Sequence, residues 1–226
     1  MQNHISEHSF QTQRYNMIEG QLKPNKIINP AVLEAFSTIA RENFVPAGHK
    51  KQAYCESKIA LSVTRHLMEP MNLAKLIQAV QPKNTDKSLV IGSASGYSAA
   101  ILAHLTTEVH ALENDKDLSA QATTALKKTG LHNICFHTAP LTEGAPKHGP
   151  YDLILIDGAI SELPEAITNQ LSEGGRIVTL LQKKNQFCQG TLYQKNGDNL
   201  SSIPLFETEA FVLPGFEKAK SFSFAA

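Results

Sequence analysis

The chain has 226 residues, 42% of them hydrophobic, with 21 basic and 21 acidic side chains and a formal net charge of zero. That length and apolar content exclude a disordered chain, and the balanced charge excludes a nucleic-acid partner, which would leave a basic excess. Three scattered cysteines, Cys55, Cys135 and Cys188, give neither a disulfide framework nor metal-ligand spacing, and no apolar run reaches the ~20 residues of a membrane span. The expected setting is cytoplasmic, with no membrane partner and no metal. Cys135 reads as a packed thiol.

Residues 1–80 read as a helical extension that includes an active-site loop. Tyr15, Ile18 and Leu22 are spaced as on one helical face. Asn29-Pro30 reads as an N-cap followed by proline at the first helical position. Val32, Phe36, Ile39 and Ala40 then line one face, and Phe44-Val45-Pro46 is expected to end the helix. The stretch 54–69 has no period and is expected to be irregular. From Pro70 to about Val80 the pattern is amphipathic again.

From Ser88 short apolar runs alternate with helical stretches. Strands are expected at 89–91, 109–112, 134–136, 153–156 and 177–181, and helices at 97–105, 118–128 and 163–171. Continuous apolar strands separated by helices indicate a parallel sheet covered on both faces. Later strands near 191–194 and 203–206 are joined across Asn196-Gly197, a hairpin turn. The fold read from this pattern is a Rossmann-like, doubly wound α/β domain over 81–226. Its sheet is mostly parallel with an antiparallel C-terminal end, and it forms one compact unit with the helical extension. Phe211 to Phe224 reads as a closing segment over the sheet, and Lys183-Lys184 as a solvated pair.

The first strand runs into Gly92-Ser93-Ala94-Ser95-Gly96-Tyr97, and the second ends in Glu113, about twenty positions after Gly92. Glycines let a ligand approach the backbone, and a carboxylate can accept both ribose hydroxyls. A dinucleotide loop needs a small residue where Tyr97 stands. The spacing Gly92-x-Ala94-x-Gly96 instead resembles the G-x-G-x-G loop of S-adenosylmethionine methyltransferases.

Further segments extend the resemblance from about Met17 to Phe224. Ala40-Arg41-Glu42-Asn43-Phe44-Val45-Pro46 resembles "PRE-x-FVP", Gly149-Pro150-Tyr151-Asp152 resembles "APYD", Leu163-Pro164-Glu165-Ala166 resembles "IPEALL", and 170–178 resembles "QLKPGGRLV". In order and spacing these resemble the protein-L-isoaspartate O-methyltransferase family. The resemblance implies methyl transfer from S-adenosylmethionine to the carboxylate of an isoaspartyl residue in a damaged protein or peptide. It places Gly92, Ser93, Ala94, Ser95, Gly96, Glu113 and Leu141 around the cofactor.

The chain departs from the pattern at the chemistry. The family's "QTISQP" loop sets a hydroxyl beside the reacting carboxylate, but aligned with it stands Arg65-His66-Leu67-Met68-Glu69-Pro70. Met68 takes the serine position and cannot donate a hydrogen bond. Ala94 replaces a loop glycine, costing on the order of 1 kcal/mol if φ must be positive. Ala139-Pro140-Leu141 replaces "GDG", removing an adenine ligand. Asp157, at the carboxyl end of the fourth strand, is expected to border the acceptor pocket, with His66 nearby. Arg65 reads as a surface charge or a contact for an anionic substrate, and His104, His110, His132 and His137 as structural. Methyl transfer to a different acceptor, or a non-catalytic binding role, stands as the alternative to the family reaction.

Overall fold

Asn29 shows how local chemistry starts the fold. In the computed structural model, which describes residues 7–183 and 187–218, its Oδ1 accepts hydrogen bonds from the amides of Ala31 (3.0 Å) and Val32 (3.3 Å). Proline follows at the first position of the helix, where its missing amide hydrogen costs nothing. Two helices build the extension here: α1 (Glu7–Met17) and α2 (Pro30–Thr38). A π-turn at Ile18–Leu22 follows α1 and shifts the phase of its apolar stripe. Met17, Ile18 and Leu22 are buried, while Tyr15, expected on the same face, is exposed because within α1 it lies about 200° around the helix from Met17.

Arg14 ties α1 to the end of α2. Its Nη1 donates to the carbonyls of Ser37 (3.2 Å) and Thr38 (3.3 Å), and its Nη2 to Glu42 (3.1 Å). Its Nε donates to the Tyr54 hydroxyl (2.8 Å), which itself donates to Glu42. α2 stops at Thr38, short of the expected 44–46, because Ile39 turns extended and a 3-10 turn at Arg41–Asn43 takes over. Within the stretch expected to be irregular, β1 (Ile59–Ala60) and β2 (His66–Leu67) pair antiparallel, and α3 (Pro70–Ala79) follows as expected.

The sheet is built from β3 (Lys87–Ile91), β4 (Glu108–Leu112), β5 (Ile134–His137), β6 (Tyr151–Ile160), β7 (Leu171–Gln182), β8 (Phe187–Asn196) and β9 (Asn199–Glu209). Their spatial order is β5-β4-β3-β6-β7-β8-β9. The first five are mutually parallel, and β8 and β9 close the sheet as the antiparallel end the sequence predicts. Between the strands run α4 (Tyr97–Leu105), α5 (Lys116–Leu126) and α6 (Glu165–Thr168). The helix expected at 163–171 shrinks to α6 because Pro164 caps it and Leu171 already belongs to β7.

Both faces of the sheet are covered. Val90 packs with α2, α3 and α4 in one core, while its neighbours Leu89 and Ile91 join Leu112, Ile154, Ile156 and Ile177 in another. The closing segment is present to residue 218: Val212 bridges to Ala159, and Leu213 and Phe216 are buried. Two readings are corrected or left outside. Cys135 is exposed, because its side chain faces out from β5, the edge strand of the sheet, while Lys184 lies outside the described residues. Among the described residues no helix is long and apolar enough to cross a membrane.

The Asn29 cap offers a direct check of this local logic. Asn29→Ala removes the acceptor for two helical amides and should lower unfolding stability by about 1 kcal/mol, read as a fall in the thermal midpoint. An unchanged midpoint would contradict the cap.

Candidate active site

Strand order reverses between β3 and β6, and in open parallel sheets that reversal opens a crevice at the carboxyl ends of the strands. The turn after β3 lies there. Three of its residues have positive φ: Gly92 (76°), Ala94 (46°) and Gly96 (91°). For Ala94 this left-handed conformation carries the penalty foreseen for a side chain, about 1–2 kcal/mol. The turn is held by Leu112, whose carbonyl accepts the amides of Gly92 (2.9 Å) and Ser93 (3.1 Å). Gly96 is also needed for contact, since a Cβ on it would lie 3.1 Å from Ala122 Cβ. The hydroxyls of Ser93 and Ser95 are buried without a hydrogen-bond partner among the described residues.

Glu113, just past β4, is 0% exposed and heavily bonded. Its Oε2 accepts the Ala94 amide at 2.7 Å. Its Oε1 accepts the amides of Asn114 (3.0 Å) and Asp115 (3.2 Å) and the Arg65 Nη1 at 2.9 Å. Arg65 also donates from Nη2 to the Gly92 carbonyl at 2.6 Å. A Cβ built on Gly92 would meet Arg65 Nη2 at 3.0 Å and Leu213 Cδ1 at 3.1 Å. The space beside Gly92 and Glu113 that the sequence reserves for a cofactor is thus filled by the chain's own Arg65 and Leu213.

Arg65 is only 1% exposed, so its reading as a surface charge is corrected. The cause is the β1–β2 hairpin. The Arg65 carbonyl accepts the amides of Leu61 (2.8 Å) and Ser62 (3.1 Å), and this tight loop turns the side chain inward.

The structure brings His66, Met68 and Asp157 to one place. All three line one cavity of about 30 Å³, with Leu180, Phe211 and Leu213 among its walls. That volume suits about one water molecule, so this is a closed arrangement. His66 stacks on Phe211 with ring centroids 4.1 Å apart. Burial, with the nearby Lys58 and Arg65 cations, pushes its pKa down against the pull of Glu69, so the ring is neutral near pH 7. Asp157 is buried, and its Oδ1 has no hydrogen-bond partner among the described residues. Burial raises its pKa, while the neighbouring Ser98 hydroxyl and the Arg65 and Arg41 cations draw it back down.

Leu141 is buried in the second core with Leu89, Leu112 and Leu213 and is not among the residues lining that cavity.

One organiser escapes sequence reading. Arg41 is fully buried, donates from Nε to the Ala53 carbonyl (2.6 Å) and from Nη2 to the Met68 carbonyl (2.6 Å), and lies 4.8 Å over the Tyr97 ring. It therefore pins the loop that carries Met68. Its place in the 40–46 motif was the available signal, but nothing in the sequence distinguishes a buried arginine from a solvated one.

Against known proteins, the family profile described as protein-L-isoaspartate(D-aspartate) O-methyltransferase matches residues 12–215. The protein-L-isoaspartate O-methyltransferase of Koribacter versatilis is 35% identical over 169 residues, covering 75% of this chain and 76% of the relative. That of Shewanella halifaxensis is 38% identical over 152 residues, covering 67% and 72%. A solved protein-L-isoaspartate O-methyltransferase superposes with a TM-score of 0.76 at 23% identity, covering 89% of this chain and 66% of that one. A Plasmodium falciparum protein of the same description, in complex with S-adenosyl-L-homocysteine, gives 0.74 at 19% identity, covering 92% and 99%. These structural likenesses support the Rossmann-like methyltransferase fold. The extent of the profile match and the identity of the curated relatives together show that this chain belongs to the protein-L-isoaspartate(D-aspartate) O-methyltransferase family.

Proposed function

We propose that the protein transfers a methyl group from S-adenosylmethionine to the carboxylate of an isoaspartyl residue in a protein or peptide. The supporting observation is the left-handed turn at Gly92, Ala94 and Gly96, whose central amide is directed onto Glu113 at the strand reversal. That backbone and that acid fit a ribose-bearing donor. Arg65 does not, because its guanidinium occupies the Glu113 oxygen and the Gly92 carbonyl. Donor binding therefore requires Arg65 to leave and Leu213 to shift from beside Gly92.

When bound, S-adenosylmethionine supplies an electrophilic methyl group on a sulfonium. The chain's own residues align and dry the site. Glu113 accepts ribose hydroxyls in place of the guanidinium, and the 92–96 turn brings its backbone close. Met68, Leu213 and Phe211 wall off water. An acceptor carboxylate is already ionised near neutral pH, so no strong base is needed and proximity carries most of the effect. Met68 cannot supply the hydroxyl the family places beside that carboxylate. In its acid form, buried Asp157 offers an O–H donor to the same cavity.

A second reading, a family member that keeps the fold without turnover, is favoured by the Arg65–Glu113 pair. Separating a buried ion pair costs about 3–5 kcal/mol, or roughly two to three and a half powers of ten in donor affinity. Calorimetry with S-adenosylmethionine and labelled methyl transfer to an isoaspartyl peptide separate the two. Arg65→Ala should bind the donor at least tenfold more tightly than the wild type, and label should appear on the isoaspartyl peptide but not on its aspartyl counterpart. Donor binding without label in both proteins would leave the binding role; no donor binding in either would overturn the proposal.

Asp157 gives a pH signature. Its folded carboxyl keeps the proton to higher pH than the unfolded one, which titrates near 3.9. Folding then takes up a proton above that pH, and stability falls as pH rises through the folded pKa. Asp157→Asn should melt higher than the wild type at pH 8, with the gap closing toward pH 4. A constant gap across that range would refute the raised pKa.

A further inference from the structure

We propose that His110, His137 and His148 form a binding site for a late first-row divalent metal ion such as zinc. The site lies apart from the acceptor cavity and does not depend on the methyl-transfer reading. His110 sits in β4, His137 at the end of β5, and His148 in the 3-10 turn Pro146–His148 that precedes β6. One ring nitrogen from each lies within 4.8 Å of the others.

The inner pair is already close, with His110 Nδ1 2.7 Å from His137 Nε2. The outer nitrogen of His110, Nε2, lies 3.0 Å from Glu108 Oε1. With Glu108 accepting the Nε2 proton, the Nδ1 lone pair of His110 points inward and accepts from His137 Nε2, whose proton an incoming metal ion displaces. A carboxylate behind an imidazole is the arrangement that orients histidine ligands in metal centres.

The inner pair needs a small adjustment, whereas the His148 ring, now stacked on His137 (centroids 4.3 Å) and His110 (4.9 Å), must turn edge-on to present a nitrogen. Zinc–nitrogen bonds of about 2.0–2.1 Å in a tetrahedral centre put ligand nitrogens about 3.3–3.4 Å apart. The inner pair would open slightly, and His148 would close in. His148 is exposed on a surface turn, and the terminal torsion of histidine is soft. That exposure also gives the ion a way in and leaves a fourth position for water. Three imidazoles without thiolate, and a carboxylate only behind them, select zinc, copper(II) or nickel(II) over magnesium or calcium. Bound metal would fasten the 138–147 segment to the sheet. It would also brace the end of β5, where the His137 carbonyl accepts the Glu113 amide at 3.1 Å.

The test uses the untagged full chain, stripped with chelator and titrated with zinc chloride against a chromophoric competitor. The wild type should take up one equivalent and melt higher when loaded. His148→Ala and His137→Ala should each weaken zinc at least tenfold, and Glu108→Gln about tenfold. His104→Ala and His132→Ala, at exposed histidines outside the cluster, should leave affinity unchanged. His148→Ala alters only an exposed side chain, and an unchanged metal-free melting point confirms that it folds. Wild-type uptake below a tenth of an equivalent, or undiminished affinity in the His137→Ala, His148→Ala double variant, would overturn the proposal.

Discussion

The ion pair between Arg65 and Glu113 is the contact on which the rest of this site depends. Both groups are out of solvent, 1% and 0% exposed, and each satisfies the other at 2.9 Å. Glu113 also fixes the left-handed turn through the Ala94 amide, and Arg65 fixes the same turn from the other side through the Gly92 carbonyl. One guanidinium thus joins the β1–β2 hairpin, the end of β4 and the turn after β3. In a buried setting neither charge can be left alone cheaply, so the closed arrangement persists until something else satisfies the carboxylate. A ribose diol can do that; bulk water, held out by Leu213 and Phe211, cannot.

The same contact gives the chain's departures from its family a common physical sense. The loop that carries a hydroxyl in the family here carries Arg65, His66 and Met68. Arg65 reaches back to Glu113, while His66 and Met68 line the cavity beside Asp157. Arg41 steadies that loop from below through the Met68 carbonyl, with its charge spread over the Tyr97 ring. Donor site and acceptor site are therefore closed by one segment, and opening one disturbs the other.

Much of the fold was legible because it rests on local chemistry and period. The Asn29 cap, the apolar strands from β3 onward and the Asn196-Gly197 hairpin each have a short-range cause, and each appears where expected. Boundaries failed where distant partners decide them. β7 begins at Leu171 and cuts α6 to four residues, and α1 buries Phe10 and Met17 and leaves Tyr15 outside. The proximity of His66, Met68 and Asp157 was legible, since all three line one cavity. The state of the site was not. Arg65 and Glu113 are 48 positions apart, and no periodicity announces that they meet. Of the three clustered histidines, His110 and His137 were read singly as structural and His148 was not singled out, because β4, β5 and the turn before β6 bring together residues that share no ligand spacing.

The central claim is that the guanidinium and the ribose compete for one carboxylate. A crystal structure of the wild-type protein grown with S-adenosyl-L-homocysteine tests this directly. The account expects the ribose hydroxyls on Glu113 and the Arg65 side chain withdrawn from both Glu113 and the Gly92 carbonyl. Product bound in the crevice with Arg65 still 2.9 Å from Glu113 would contradict it.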